Sequence, residues 1–356
     1  MARYLLTSQQ REAFQAEISA LVDQLPEMPH GELIQQALMT LVRMAEVEAD
    51  RLDWKILNAS MQDMERAFRV FYPYRHIRKV TVFGSARIPP DSETYRMAVE
   101  FAQCVTQLGF MVMTGGGGGI MQAGNEGAGS EQSFGLNIQL PFEQGANSFI
   151  AGDAKLINFK YFFTRKLFFL RETDALALFP GGFGTQDEAF ECLTLMQTGK
   201  SDLVPLVLID EPGGDYWQSW DEHLRAHLLE AGLISADDRS LYTITDRLDV
   251  ACEAIASFYR VFHSSRYIDN QLVIRLKSEL SDSDVELLNS TFSDILEKGR
   301  IEKSSAFAQE TNPEIIDLPR LILYFNQKDF GRLYQMIRLI NQLGSRSPES
   351  THPEQK

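Results

Sequence analysis

The chain has 356 residues, 44% of them hydrophobic, and a formal net charge of −15. That apolar fraction supports a packed core and excludes a disordered chain, while the acidity repels polyanions and excludes DNA or RNA binding as the main role. No apolar stretch reaches the ~18–20 residues needed to span a bilayer, and Met1-Ala2-Arg3-Tyr4-Leu5-Leu6 lacks the apolar segment of a signal peptide, so a cytoplasmic protein without a membrane partner is expected. Cys104, Cys192 and Cys252 lie far apart, which favours neither a disulfide framework nor a metal knuckle and leaves reduced thiols as the simplest reading.

Residues 8 to about 72 read as helical: apolar side chains recur at Phe14, Ile18, Leu21 and again at Leu33, Ile34, Leu38, Leu41, with Pro26 and Pro29 breaking the run between them. A packing or dimerisation layer is expected over 1–76. From 77 to 264 strands and helices alternate. Short apolar runs bounded by Gly, Pro or polar residues predict strands at 79–83, 110–114, 134–140, 174–179 and 204–209. The alternation implies an α/β fold with a doubly wound, Rossmann-like parallel sheet, which binds ligands at the carboxyl ends of its strands. Over 265–345 the pattern predicts strands at 272–276 and 320–325 and helices at 284–296 and 332–343, a small α+β module. The tail 346–356 is polar, contains Pro348 and Pro353, and reads as disordered.

Two glycine-rich segments each follow a predicted strand and precede a predicted helix. The first runs Thr114-Gly115-Gly116-Gly117-Gly118-Gly119-Ile120-Met121. Five consecutive glycines are costly in conformational entropy and give nothing to pack, so they make sense where a backbone must turn its N–H groups onto a ligand. A helix starting near Ile120 adds its positive dipole end, and the segment reads as a phosphate site. The second runs Pro180-Gly181-Gly182-Phe183-Gly184-Thr185-Gln186-Asp187-Glu188. Thr185 is a candidate N-cap and Glu188, three residues on, would close a capping box; the functional alternative puts the Glu188 carboxylate beside a bound ligand. Neither cluster fits G-x-G-x-x-G, because the sixth position is Ile120 counted from Gly115 and Asp187 counted from Gly182. Neither is followed by the Gly-Lys-Ser/Thr of a P-loop.

These residues resemble the LOG ("lonely guy") family, cytokinin riboside 5′-monophosphate phosphoribohydrolases and their bacterial nucleotide-hydrolase relatives, many once labelled lysine decarboxylases. Pro180 to Glu188 match the hallmark P-G-G-x-G-T-x-x-E in full, Arg165-Lys166 match its Arg-Lys pair, Gly115 to Met121 match the phosphate loop, and Phe83-Gly84-Ser85-Ala86 match the first strand-turn. Gly135-Leu136-Asn137-Ile138-Gln139-Leu140-Pro141 and Glu143-Gln144 resemble the longer bacterial branch. The resemblance covers roughly 77–262 and implies hydrolysis of the N-glycosidic bond of a nucleoside 5′-monophosphate to free base and ribose 5-phosphate. Arg165 and Glu188 would be catalytic. Gly116, Gly117, Gly118 and Gly119, with Gly181, Gly182, Gly184 and Thr185, would cradle the 5′-phosphate, and Gly84, Ser85, Met121 and Lys166 would line the rest of the pocket. No cofactor or metal is required. A homodimer or higher homo-oligomer is expected, with a regulatory nucleotide as a further partner of the C-terminal module.

Two other signals point elsewhere. His223 and His227 stand at i, i+4, but the Glu of H-E-x-x-H is absent and Asp221, Glu222 and Arg225 mark a solvated helix face. Phe159, Tyr161, Phe162, Phe163, Phe168 and Phe169 surround Arg165, and burial against the sheet or a dimer partner is a simpler account of them than base stacking. Competing functional readings are a non-catalytic nucleotide sensor on the same fold, and a pyridoxal-dependent decarboxylase, which would need a Schiff-base lysine that no segment supplies convincingly.

Overall fold

The computed structural model describes residues 8–23, 29–47, 49–139 and 145–344; the expectations on Leu140-Pro141, Glu143-Gln144 and the tail lie outside them. The chain divides into two compact units, 1–64 and 65–356. Helices α1 (Ser8–Asp23) and α2 (Gly31–Glu46) lie in the first, and α3 spans Arg51–Phe71. No helix among the described residues is long and apolar enough to cross a membrane.

The second unit contains a seven-stranded parallel sheet in the order β4-β3-β2-β1-β5-β6-β7. Its strands are β1 (Lys79–Phe83), β2 (Met111–Thr114), β3 (Ser133–Ile138), β4 (Leu156–Phe159), β5 (Ala175–Leu178), β6 (Leu206–Ile209) and β7 (Tyr242–Thr245). Every residue of β1, β2, β5 and β6 is buried, as strands covered by helices on both faces must be, which is why they read as unbroken apolar runs. The two strands that apolar runs do not reveal are the edges: β4 alternates between half-buried and buried positions and β7 is half-buried throughout. The helices between strands are α4 (Glu93–Gln107), α5 (Ile120–Ala128), α6 (Phe162–Arg171), α7 (Phe183–Gln197), α8 (Tyr216–Leu224) and α9 (Leu248–Phe258). Phe101, Phe134, Phe159, Phe168, Phe169, Phe179 and Trp217 fill the core.

Strand order runs outward from β1 to β4, then restarts on the other side of β1 with β5. The sheet therefore has its switch point between β1 and β5, where a crevice opens at the carboxyl ends.

The C-terminal module is a four-stranded antiparallel sheet in the order β10-β11-β9-β8, built from β8 (Phe262–Ile268), β9 (Gln271–Leu276), β10 (Leu296–Ser304) and β11 (Arg320–Phe325), with helices α10 (Asp282–Thr291) and α11 (Phe330–Leu343). The helix expected over 284–296 stops earlier, because Leu296 opens β10, an edge strand whose Glu297, Lys298, Gly299 and Arg300 are exposed. Polar edge strands resist unwanted pairing and lack an apolar signature. At the core of the module Arg275 and Arg320 face each other across β9 and β11. Glu310 separates them, with Oε1 2.7 Å from Arg275 Nε and Oε2 2.9 Å from Arg320 Nε. Asn341 on α11 accepts from the amides of Val261 and Phe262 at 2.8 and 2.9 Å and donates to the Phe258 carbonyl at 2.7 Å.

The expectation of three reduced thiols is corrected. Cys104 on α4 and Cys252 on α9 form a disulfide, with Cα atoms 6.7 Å apart, and only Cys192 is a free cysteine among the described residues. A separation of 148 residues hides the pairing; it arises because α4 and α9 pack together.

Candidate functional site

Three strand ends meet at the switch point. The turn after β1 joins the two glycine segments: the Ser85 amide donates to the Pro180 carbonyl and the Ser85 carbonyl accepts from the Ile120 amide, both at 3.1 Å. Gly84 is packed against Ile120, whose side-chain carbons lie 2.7 Å from where a Cβ would stand.

The first glycine segment leaves β2 and enters α5 at Ile120, as expected. Gly116 and Gly119 have φ of 72° and 60°, a region open to glycine at little cost. A Cβ on Gly119 would also lie 2.6 Å from the Ala86 carbonyl carbon, whereas on Gly118 the nearest atom is 3.6 Å away. Gly119→Ala is therefore expected to lose roughly 1–3 kcal/mol of stability together with ligand binding, while Gly118→Ala stays close to wild type in stability; urea denaturation of the pair checks this. Met121 lies under the segment, its Cε 2.8 Å from a Cβ position on Gly117.

The second segment corrects the capping-box reading. Helix α7 starts at Phe183 with Gly182 as N-cap, and the amides of both Thr185 and Gln186 bond to the Gly182 carbonyl at 3.1 Å. Thr185 sits inside the first turn, with its Cβ 2.7 Å from a Cβ position on Gly181. The flexible Gly181-Gly182 backbone lets the helix begin before Thr185, and Glu188 is released from any capping duty. Gly184 is exposed, with open space around its Cα.

A buried polar network stands behind the first segment. Thr114 Oγ1 accepts from the Gly116 amide at 3.0 Å and donates to Asn125 Oδ1 at 2.8 Å. Asn147 donates its main-chain amide to the Gly116 carbonyl at 2.8 Å, and its Nδ2 to the Gly117 carbonyl at 3.0 Å and to Asn125 Oδ1 at 2.9 Å. The second segment is held by Tyr216, whose hydroxyl donates to the Gly181 carbonyl at 2.5 Å and accepts from Gln186 Nε2 at 2.6 Å. Neither Asn147 nor Tyr216 carries a sequence signal: each is a lone polar residue in a loop or at a helix start, and only the fold brings it to the glycines.

Arg165 links the parts. Its guanidinium overlies Gly115 so closely that a Cβ there would collide with it. Its Nε donates to the Leu136 carbonyl at 2.7 Å, and it lies over the Phe169 ring, 5.1 Å from the centroid. Lys166 faces α7 instead of the glycines, with Nζ 2.7 Å from Asp187 and 2.6 Å from Glu191. Burial alone would lower its pKa, but those two carboxylates hold it above the usual lysine range. Glu188 is 8% exposed and accepts no hydrogen bond among the described residues. Burial pushes its pKa up to about 7, with the charges of Glu191 and Asp187 adding and those of Lys166 and Arg165 opposing. A carboxyl poised near neutrality, within electrostatic reach of the Arg165 guanidinium and on the helix that leaves the second glycine segment, is suited to acid–base work or to stabilising a cation.

Of the aromatic group, Phe159, Phe168 and Phe169 are buried in the core, while Phe162 and Phe163 are 53% and 56% exposed. A cavity of about 730 Å³, walled by Phe163, Leu167, Leu195, Phe330 and Leu333, is a separate space and contains none of the glycines of the two segments. His223 and His227 are exposed, with ring centroids 4.6 Å apart.

Residues 117–255 match the family described as possible lysine decarboxylase. No curated protein matches the chain. Among solved structures it is similar to TM1055, with 21% identity over 50% of this chain and 98% of that one and a TM-score of 0.36. It is similar to a molybdenum cofactor binding protein from Rippkaea orientalis, with 16% identity over 51% and 96% and a TM-score of 0.37. It also resembles a molybdenum cofactor carrier protein from Chlamydomonas reinhardtii, with 18% identity over 50% and 96% and a TM-score of 0.36.

Proposed function

We propose that this chain, whose residues 117–255 match the family described as possible lysine decarboxylase, the older label of the LOG family that its motifs resemble, hydrolyses the N-glycosidic bond of a nucleoside 5′-monophosphate, releasing free base and ribose 5-phosphate. The observation that carries this reading is the Glu188 carboxyl, desolvated and unbonded among the described residues and within electrostatic reach of Arg165, whose guanidinium covers the first glycine segment. Base departure leaves positive charge on the ribose ring, and a fixed carboxylate in a water-poor pocket stabilises it. The glycine amides hold the 5′-phosphate, whose binding energy positions the sugar although it is remote from the bond that breaks. Arg165 holds the substrate and Glu188 in register. Exposed Phe162, Phe163 and Phe183 fit the homo-oligomer that the reading includes.

The older decarboxylase description is less well supported by the site. A Schiff-base lysine needs a depressed pKa, whereas Lys166 is clamped by Asp187 and Glu191 and held high. The test is a panel of nucleoside monophosphates incubated with the protein and resolved by chromatography. Wild type should release base from at least one of them, preferring monophosphates to nucleosides, and Arg165→Ala should lower kcat/KM on the order of 10²–10³-fold. Tight nucleotide binding with no base released would instead identify a sensor.

A further inference from the structure

We propose that Asn147 and Tyr216 are positioning residues that make the two glycine segments into one receptor for a phosphate monoester. The argument is one of peptide geometry. In a trans peptide the carbonyl of one residue and the N–H of the next share a plane and point in opposite directions, and the described residues contain no cis peptide. Asn147 fixes the carbonyls of Gly116 and Gly117 through its amide and its Nδ2. Asn147 is itself buried, whereas Gly117 is half-buried and Gly118 exposed. The N–H groups of Gly117 and Gly118 are thereby turned away from the interior and toward the open end of the sheet.

Tyr216 does the same for the other segment. Gln186 Nε2 donates to its hydroxyl, so the single hydroxyl proton goes to the Gly181 carbonyl, and the Gly182 N–H is directed the opposite way, at a residue that is exposed. Among the described residues no acceptor takes the amides of Gly117, Gly118 or Gly182. Three uncommitted donors on two strand ends, tied together by Ser85, form an anion receptor that uses backbone dipoles and needs no basic side chain. Each donor keeps its direction because a side chain behind it holds the reverse side of the same peptide.

As regards kinetics the proposal rests on the hydrolase reading; as regards binding it does not. Its test uses the full chain with ribose 5-phosphate and unphosphorylated ribose as calorimetric probes, and steady-state kinetics on whichever monophosphate is cleaved. Tyr216→Phe removes one hydroxyl from a half-buried ring, and Asn147→Ala removes the Nδ2 donor. Each is expected to weaken ribose 5-phosphate about tenfold without changing ribose binding, and to raise KM for the monophosphate about tenfold with kcat within about twofold. Unchanged ribose 5-phosphate affinity in Tyr216→Phe, an equal loss for ribose, or a wild-type protein that binds no ribose 5-phosphate overturns the proposal. Should Asn147→Ala fail to fold, Tyr216→Phe decides alone. If ribose 5-phosphate binds as expected but no monophosphate is cleaved, the hydrolase reading fails and the receptor stands.

Discussion

Glu188→Gln is expected to cripple base release, lowering kcat/KM on the order of 10³-fold, while making the folded protein more stable at pH 8. The two effects have one cause. Burial raises the Glu188 pKa from 4.5 to about 7, so the folded state holds this proton more tightly than the unfolded chain. Ionising the group then costs stability, progressively from about pH 4.5 and fully above about pH 7. At ~1.4 kcal/mol for each pKa unit the cost is roughly 3–4 kcal/mol, and a neutral glutamine of the same shape avoids it. The stabilisation should vanish at pH 4, where both states carry the proton. Wild-type kcat/KM should rise about tenfold per pH unit below about 7 and level off above it, since the anion is the form that faces the sugar cation. The second ionisation of the substrate phosphate, near pH ~6, also contributes a rising limb. Residual activity of Glu188→Gln isolates it, because only the substrate then titrates. An activity that falls as pH rises through 7 would mean that Glu188 works as a proton donor and would sink the cation-stabiliser role.

Glu310→Ala is expected to cost about 3–5 kcal/mol, the range for removing one partner from a buried ion pair. Burial works to raise the Glu310 pKa, but the Phe307 amide, Arg275 and Arg320 outweigh it and hold the carboxyl below its usual range. Without that carboxylate two guanidiniums, each on a residue no more than 4% exposed, face each other across β9 and β11. Arg320 keeps its bonds to the carbonyls of Ile315, Ile316 and Leu318, while Arg275 keeps only Ser264 Oγ at 3.2 Å. Urea unfolding measures the loss. Replacing all three residues with apolar ones of similar volume should recover most of it. A loss below about 1 kcal/mol for Glu310→Ala would mean that water enters and solvates the pair.

The parts of the fold legible in the sequence are those where one physical effect dominates. Strands β1, β2, β5 and β6 are buried on both faces, so their apolar runs could not be mistaken, and the glycine segments announced themselves by their entropic cost. The edges β4 and β7 were hidden because half-covered strands need no unbroken run, and β10 because a protected edge is written in charges. Within the site, Arg165 and Glu188 came from a family motif, and the structure adds what a motif cannot carry: Lys166 facing α7, Thr185 inside the first turn of that helix, and Glu188 free of a cap. Asn147 and Tyr216 were illegible, since their role depends on which carbonyl they reach after folding. The Cys104–Cys252 pair was missed for the same reason.

The clasp at Asn341 bears on how the protein is made. The Phe258 carbonyl at the end of α9 and the amides of Val261 and Phe262 that follow it find their partner in one side chain about 80 positions later. During synthesis the Rossmann-like domain is complete in sequence well before Asn341 leaves the ribosome, yet its last helix ends in groups whose partner has still to emerge. A nascent chain broken off inside the module has every glycine of the site and no closure at that seam. Such a fragment is left open to proteases at the point where the intact molecule is fastened.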